Sequence, residues 1–260
     1  MRTKNKIALL CPVRARPDYL YAYCESIDQT ATQSNRLALI FYVDTDDPTA
    51  KQYQMLEVEL RAKYPNSFEI QFLYGDPIGT PGAINQMAIH STADIFMISN
   101  DDHNFISKGW DKRVDQEAAK FPDGIYNIWF NEGYFGDKLS CFPFVSRVWF
   151  QALGYVAPVL FEHFVVDHWI HHLGRFLKRN VFLEDVTISH RHHDAEENGL
   201  QFAWQEESFA KRRMDRDNAV FERSERYLRL DAQILQHVID VYPRTPINAA
   251  STRAGSIEKS

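Results

Sequence analysis

Between residues 7 and 98, short apolar runs alternate with amphipathic stretches, and few folds accommodate that alternation. Ile7-Ala8-Leu9-Leu10-Cys11 reads as a strand buried on both faces. Pro12-Val13-Arg14-Ala15-Arg16-Pro17 ends it, with Pro17 suited to a helix's first turn. Leu20, Cys24 and Ile27 then recur at helical spacing. A second strand, Leu37 to Val43, runs into Asp44-Thr45-Asp46-Asp47-Pro48. There Asp46 or Asp47 can cap the next helix, whose apolar face is Tyr53, Leu56, Leu60 and Tyr64. A third strand, Phe68 to Tyr74, leads through Gly75 to Gly82 into a helix with Ile84, Met87 and Ala88 inward. Ile95-Phe96-Met97-Ile98 is the fourth strand. The pattern predicts an α/β fold with a mostly parallel, doubly wound sheet and right-handed crossovers. The loops after these strands then share one edge, where Arg14, Asp44, Asn85 and Asp102 can converge. None of the turns carries a P-loop or a glycine-spaced dinucleotide fingerprint.

Ligands of open α/β sheets bind at the carboxyl ends of the strands. The fourth strand stops there at Ser99-Asn100-Asp101-Asp102-His103. Adjacent carboxylates suit a hard divalent cation, and an imidazole serves Mn2+-like ions as well. A polar loop that caps the next helix is the competing reading. Composition narrows the partners. The 260 residues are 45% hydrophobic and 25% charged, as in an ordinary globular protein. A net charge of -6 gives no global positive field to recruit nucleic acid or anionic membrane. Cys11, Cys24 and Cys141 fall in no metal or redox spacing, so buried free thiols in a reducing compartment are expected. With no signal-peptide core and no integral membrane segment, a cytoplasmic location is expected.

From Ile125 the pattern changes. Ile125 to Phe130 reads as a strand, Asn131 to Asp137 as an aromatic loop and Phe142 to Val145 as a short strand. Ser146 is suited to cap a helix over Arg147 to Leu153. Phe161 to Phe176 is expected to be a helix carrying Glu162, His163, Asp167, His168, His171 and His172. Val181 to Ser189 reads as a last strand that runs into His190-Arg191-His192-His193. Residues 206–244 form a helical extension, and 245–260, poor in apolar residues, a disordered tail.

Four pieces together resemble the GT-A fold glycosyltransferases, especially those related to the family 2 group. They are the Pro12 to Pro17 turn, Asp44 closing the second strand, the Gly79 to Asn85 segment, and Asn100-Asp101-Asp102-His103 followed by Gly109-Trp110-Asp111. The resemblance spans roughly residues 6 to 193 by motif order. It implies a Rossmann-like GT-A domain over 1–205, with a nucleotide-sugar-binding half (6–111) and an acceptor-side half (112–205). It also implies an enzyme that moves a sugar from a nucleotide-diphosphate donor. In that family the acidic motif, the so-called DXD, holds Mn2+ or Mg2+ against the donor diphosphate. Asn100 stands where that motif is often acidic, and Asp101-Asp102-His103 also resembles the Asp-X-His form of the polypeptide GalNAc-transferases.

Carried onto this sequence, the resemblance assigns Pro12, Arg14, Arg16, Asp44, Asn85 and Asp101 to the nucleotide sugar. The metal falls to Asp101, Asp102 and His190, with His103 and His192 as competing ligands. Asp167 is the expected base of an inverting reaction. Glu162 competes for that role, although on one helix the two acids would stand about 140° apart. Tyr134, Phe135 and Phe142 suit either an aromatic sugar platform or the core. The acceptor stays open among a glycan, a small molecule and a modified DNA base. A basic cluster, Lys211-Arg212-Arg213 with Arg216, suits an anionic acceptor or simply a solvated helix face. A nucleotidyltransferase is the competing enzyme, but it usually wants a glycine- and lysine-bearing first loop, which Pro12 to Pro17 lacks. A non-catalytic nucleotide-sugar-binding protein is the third reading.

Overall fold

Because consecutive strand residues point to opposite faces, an apolar run with no polar alternation needs cover on both sides. The computed structural model, which describes residues 5–190 and 207–242, supplies it. Strands β1 (Ile7–Val13), β2 (Leu37–Asp44), β3 (Glu69–Gly75) and β4 (Ile95–Ile98) pair in parallel, in the order β3-β2-β1-β4. Ile7, Leu9 and Cys11 of β1 pack with residues of α1 (Tyr19–Thr30), α2 (Ala50–Lys63) and α4 (Trp110–Ala118). Ala8 and Leu10 face the other layer, made by α3 (Gly79–His90), α5 (Arg147–Leu153), α6 (Val166–Leu177) and α8 (Glu225–Val241). The sheet continues through β7 (Phe144–Ser146), β6 (Asn127–Asn131), β8 (Asn180–His190) and β5 (His103–Phe105), mixing antiparallel and parallel pairs.

Several elements differ from the sequence expectation, each for a physical reason. β1 does not stop at Cys11 but runs through Pro12 to Val13. Its pairing with β4 ends at Leu10, so on that side Pro12 sits as in an edge strand, where its missing N–H breaks no ladder. Neither β5 nor α4 was expected as a regular element. β5 is three residues long and depends on β8, and α4 starts from Gly109 in the left-handed region at φ 77°. Helix α6 starts at Val166, so Glu162 lies outside it and the helical angle between Glu162 and Asp167 does not apply. The C-terminal extension divides at Ser224 into α7 (Glu207–Arg223) and α8. Ser146 caps α5 as expected, accepting from Trp149 N at 3.0 Å. The tail 245–260 and His192 lie outside the described residues.

Candidate functional site

Loops after β1, β2 and β4 meet at one edge through ion pairs. Arg14 reaches Asp44 at 2.9 Å and Asp46 at 2.6 Å, linking the ends of β1 and β2. Burial raises the Asp44 pKa although Arg14 opposes it, and the Arg14 hydrogen bond lowers that of Asp46. Arg16 bridges to the acidic loop, 2.5 Å from Asp101 and 3.3 Å from Asp102. Burial works against the Arg16 charge, yet the two carboxylates hold its pKa above the ordinary value. The turn that carries both arginines is itself pinned. Ala15, in the left-handed region at φ 58°, donates its N–H to Asp47 at 2.9 Å, and Arg16 N donates to Tyr53 Oη at 3.1 Å.

The two neighbouring aspartates diverge from there. Asp101 turns to Arg16, whereas Asp102 lies 3.3 Å from His190 Nε2. The antiparallel pairing of β5 with β8 puts His103 directly opposite His190, with ring centroids 5.4 Å apart. Asp102, His103 and His190 thereby offer three ligand atoms within 4.8 Å of one another. Burial opposes ionisation of Asp102. The His190 hydrogen bond and the fields of His190, His103 and Arg16 overcome it and keep the carboxyl well below its usual range. Burial pushes His103 down to about 3, aided by His190 and opposed by Asp102, so the ring is neutral near neutral pH.

A neutral imidazole carries one proton, and its hydrogen bonds choose the nitrogen. His103 Nδ1 lies 3.2 Å from Ser99 Oγ, which in turn contacts Tyr23 Oη at 2.8 Å, and 3.3 Å from the Asn100 N–H. The Asn100 N–H can only donate, so Nδ1 accepts it, and the proton of the neutral ring lies on Nε2, from which a bound cation would have to displace it. That Nε2 is buried without a hydrogen-bond partner. A carboxylate, two imidazoles and an unsatisfied buried nitrogen fit a divalent cation of the Mn2+ type.

The other expected site residues do not join this cluster. Pro12 is a strand residue opposite Tyr42. Asn85 does not join the charged edge. Its Oδ1 accepts from Val156 N at 2.9 Å and Ala157 N at 3.0 Å, and its Nδ2 donates to Ala157 O at 2.7 Å. It latches the segment after α5 to α3. Asp167 stands in the first turn of α6, its side chain 28% exposed, with Oδ1 accepting from His168 N at 2.8 Å and Nδ1 at 3.0 Å. That hydrogen bond raises the His168 pKa. Glu162 meets Arg213 at 3.5 Å and Arg216 at 3.1 Å. Trp110 is buried, with Nε1 on Thr30 Oγ1, and Phe142 packs edge-on to His103 at 3.8 Å. Tyr134 and Phe135 are exposed. Cys11 and Cys24 are buried free thiols, whereas Cys141, also free, is only half-buried. Glu132, which the sequence reading passed over, is buried after β6 and accepts from Tyr134 N and Phe135 N through Oε1. Among the described residues, no helix is long and apolar enough to cross a membrane.

This is the fold of the GT-A nucleotide-sugar transferases. No protein-family model and no curated protein matches the sequence. Among solved structures, the mannosyltransferase PcManGT from Pyrobaculum calidifontis, in complex with GDP-Man and Mn2+, is similar with a TM-score of 0.56 at 10% identity, over 72% of this chain and 57% of that one. TarS 1-349 of S. aureus in complex with UDP is similar with a TM-score of 0.54 at 10% identity, over 71% of this chain and 60% of that one. The chain therefore spans 57% and 60% of those two solved chains. At such identity the likeness concerns the fold.

Proposed function

We propose that this chain is a metal-dependent glycosyltransferase that moves a sugar from a nucleotide-diphosphate donor to an acceptor hydroxyl, with inversion. The observation that carries the reading is the Asp102–His103–His190 cluster just beyond the carboxyl end of β4, the edge at which open α/β sheets bind their ligands. These three residues would hold Mn2+ or Mg2+. When bound, the cation supplies Lewis-acid neutralisation of the departing diphosphate. Arg14 and Asp44 flank the nucleotide, and Asp101 stays on the donor side through Arg16. The acceptor oxygen attacks the anomeric carbon as the bond to the diphosphate breaks. The electron pair leaves with the nucleoside diphosphate, and the acceptor proton passes to Asp167. Asp167 supports this role by its place in the first turn of α6. Glu162 is the weaker base, because two arginines occupy its carboxylate.

The test is incubation with a panel of nucleotide sugars, Mn2+ and candidate acceptors, following nucleoside diphosphate. Mn2+-dependent release supports transfer. Pyrophosphate formed from a nucleoside triphosphate and a sugar phosphate would instead mark a nucleotidyltransferase. Tight nucleotide-sugar binding without release of either product would mark a binding protein.

A further inference from the structure

The segment that leads into α6 runs directly into Asp167, the base of the proposed transfer. Its backbone ends in a strained residue. Val165 holds φ 59° and ψ 9°, a left-handed conformation that a β-branched side chain adopts only when its surroundings impose it. Asp167 follows two residues later, so the first turn of α6 inherits its direction from that turn.

Two elements impose the conformation. On one side is the start of α3, where Thr80 N donates to Glu162 O at 3.2 Å and Thr80 Oγ1 meets His163 Nδ1 at 2.7 Å. Gly79, at φ 72°, lies so close that a Cβ would stand 3.2 Å from the same Glu162 carbonyl. On the other side is Asp217 of α7, 0% exposed. Its carboxylate accepts the N–H of Glu162 at 3.0 and 3.2 Å, of His163 at 3.0 Å and of Phe164 at 2.9 Å. Arg216 Nη1 donates to the same carboxylate at 2.9 Å. Consecutive backbone N–H groups converging on one anion form a nest, here filled by the chain's own side chain. The acid comes from a helix more than fifty residues further along.

We propose that Asp217 is a positioning residue for Asp167. By clamping the N–H groups of residues 162–164 it holds Val165 in its left-handed turn and fixes the approach to α6 against the start of α3. The role rests on the transferase reading of Asp167. It also makes α7, within the C-terminal extension, a working part of the acceptor side.

Asp217→Asn in the full chain keeps the shape of the side chain but removes its charge and turns one acceptor into a donor, which weakens its hold on the N–H groups of 162–164 and on Arg216. Turnover at saturating donor should fall about tenfold to a hundredfold, the scale on which small misplacements of a reacting group act. Affinity for a nucleoside diphosphate with Mn2+ should stay within about twofold. Hydrogen exchange at the amides of 162–164 should quicken. Adding Val165→Gly, which frees the left-handed turn of its steric cost, should restore part of the turnover. Two results would overturn the role alone, given an active wild type. One is normal turnover in Asp217→Asn. The other is a parallel loss of turnover and nucleotide affinity that Val165→Gly deepens, the mark of a merely structural residue. A wild-type chain that transfers no sugar would overturn the transferase reading and this role together.

Discussion

At the sheet edge after β1, β2 and β4, side-chain charges face one another: Arg14 with Asp44 and Asp46, Arg16 with Asp101 and Asp102. Between β6 and α6, side chains hold backbone instead. Asn85 grips residues 156 and 157, Asp217 grips 162 to 164, and Glu132 grips 134 and 135. The Arg14 pairs, at a partly exposed edge, exchange readily for a charged ligand, since their net strength in water is small, whereas Arg16 holds the buried carboxylates of Asp101 and Asp102. Buried backbone N–H groups have no such alternative, because each lost partner is a desolvated donor left unsatisfied. On the proposed function, the Arg14 pairs would be re-paired by a diphosphate and its cation, while the segments between β6 and α6 hold one shape.

Predictions follow in order of size. Asp167→Asn removes the base while changing little else, so turnover at saturating donor should drop about a hundredfold with donor affinity intact. Steady-state kinetics at saturating donor checks it, and near-normal turnover would remove Asp167 from the chemistry. Asn85→Ala tests the other device. Two backbone N–H groups lose their acceptor, so the urea midpoint should report a loss of about 1–3 kcal/mol. Donor affinity should not move. The opposite result, a donor defect in a stable protein, would return Asn85 to the nucleotide site and blur the contrast between the two regions.

The third prediction is a pH slope in the metal-free chain. His103 binds its proton near pH 6.5 when unfolded and only at about 3 when folded. Between those values the unfolded state holds more protons, so stability falls as pH falls, by up to about 1.4 kcal/mol per pH unit from this group. Asp102, whose pKa is also depressed on folding, adds to the loss below pH about 4. Urea titrations from pH 7.5 to 5 should show the slope in wild type and a flatter one in His103→Gln. Equal slopes would mean that the ring is not held neutral.

The same contrast governs what the sequence could reveal. Strands β1 to β4 and their helices were legible because each is a local apolar pattern that the sheet then uses without revision. So was the acidic loop, since a strand end with carboxylates is a local signal. The third ligand was harder. His103 stood out only as a neighbour of Asp102, and what brings it to His190 is the β5–β8 register, a pairing across 87 residues that no periodicity encodes. The segment before α6 misled for the same reason. Phe161 to Val165 continues the helical spacing, but its N–H groups are taken by Asp217 from a distant helix, which keeps them out of α6. Asn85 was drawn to the edge by its place after β3, and only the contact with residues 156 and 157 reveals its latch.

The central claim is that Asp102, His103 and His190 together bind the divalent cation of a nucleotide-sugar transferase. It is tested most directly by titrating Mn2+ into the chain and following free Mn2+ by electron paramagnetic resonance, with and without a nucleoside diphosphate. The expected result is one Mn2+ per chain, bound more tightly when the nucleoside diphosphate is present. Asp102→Asn, His103→Gln and His190→Gln should each weaken that binding about tenfold or more, as loss of a ligand or of its support does. Mn2+ binding of unchanged affinity in a chain carrying both Asp102→Asn and His190→Gln would contradict the account.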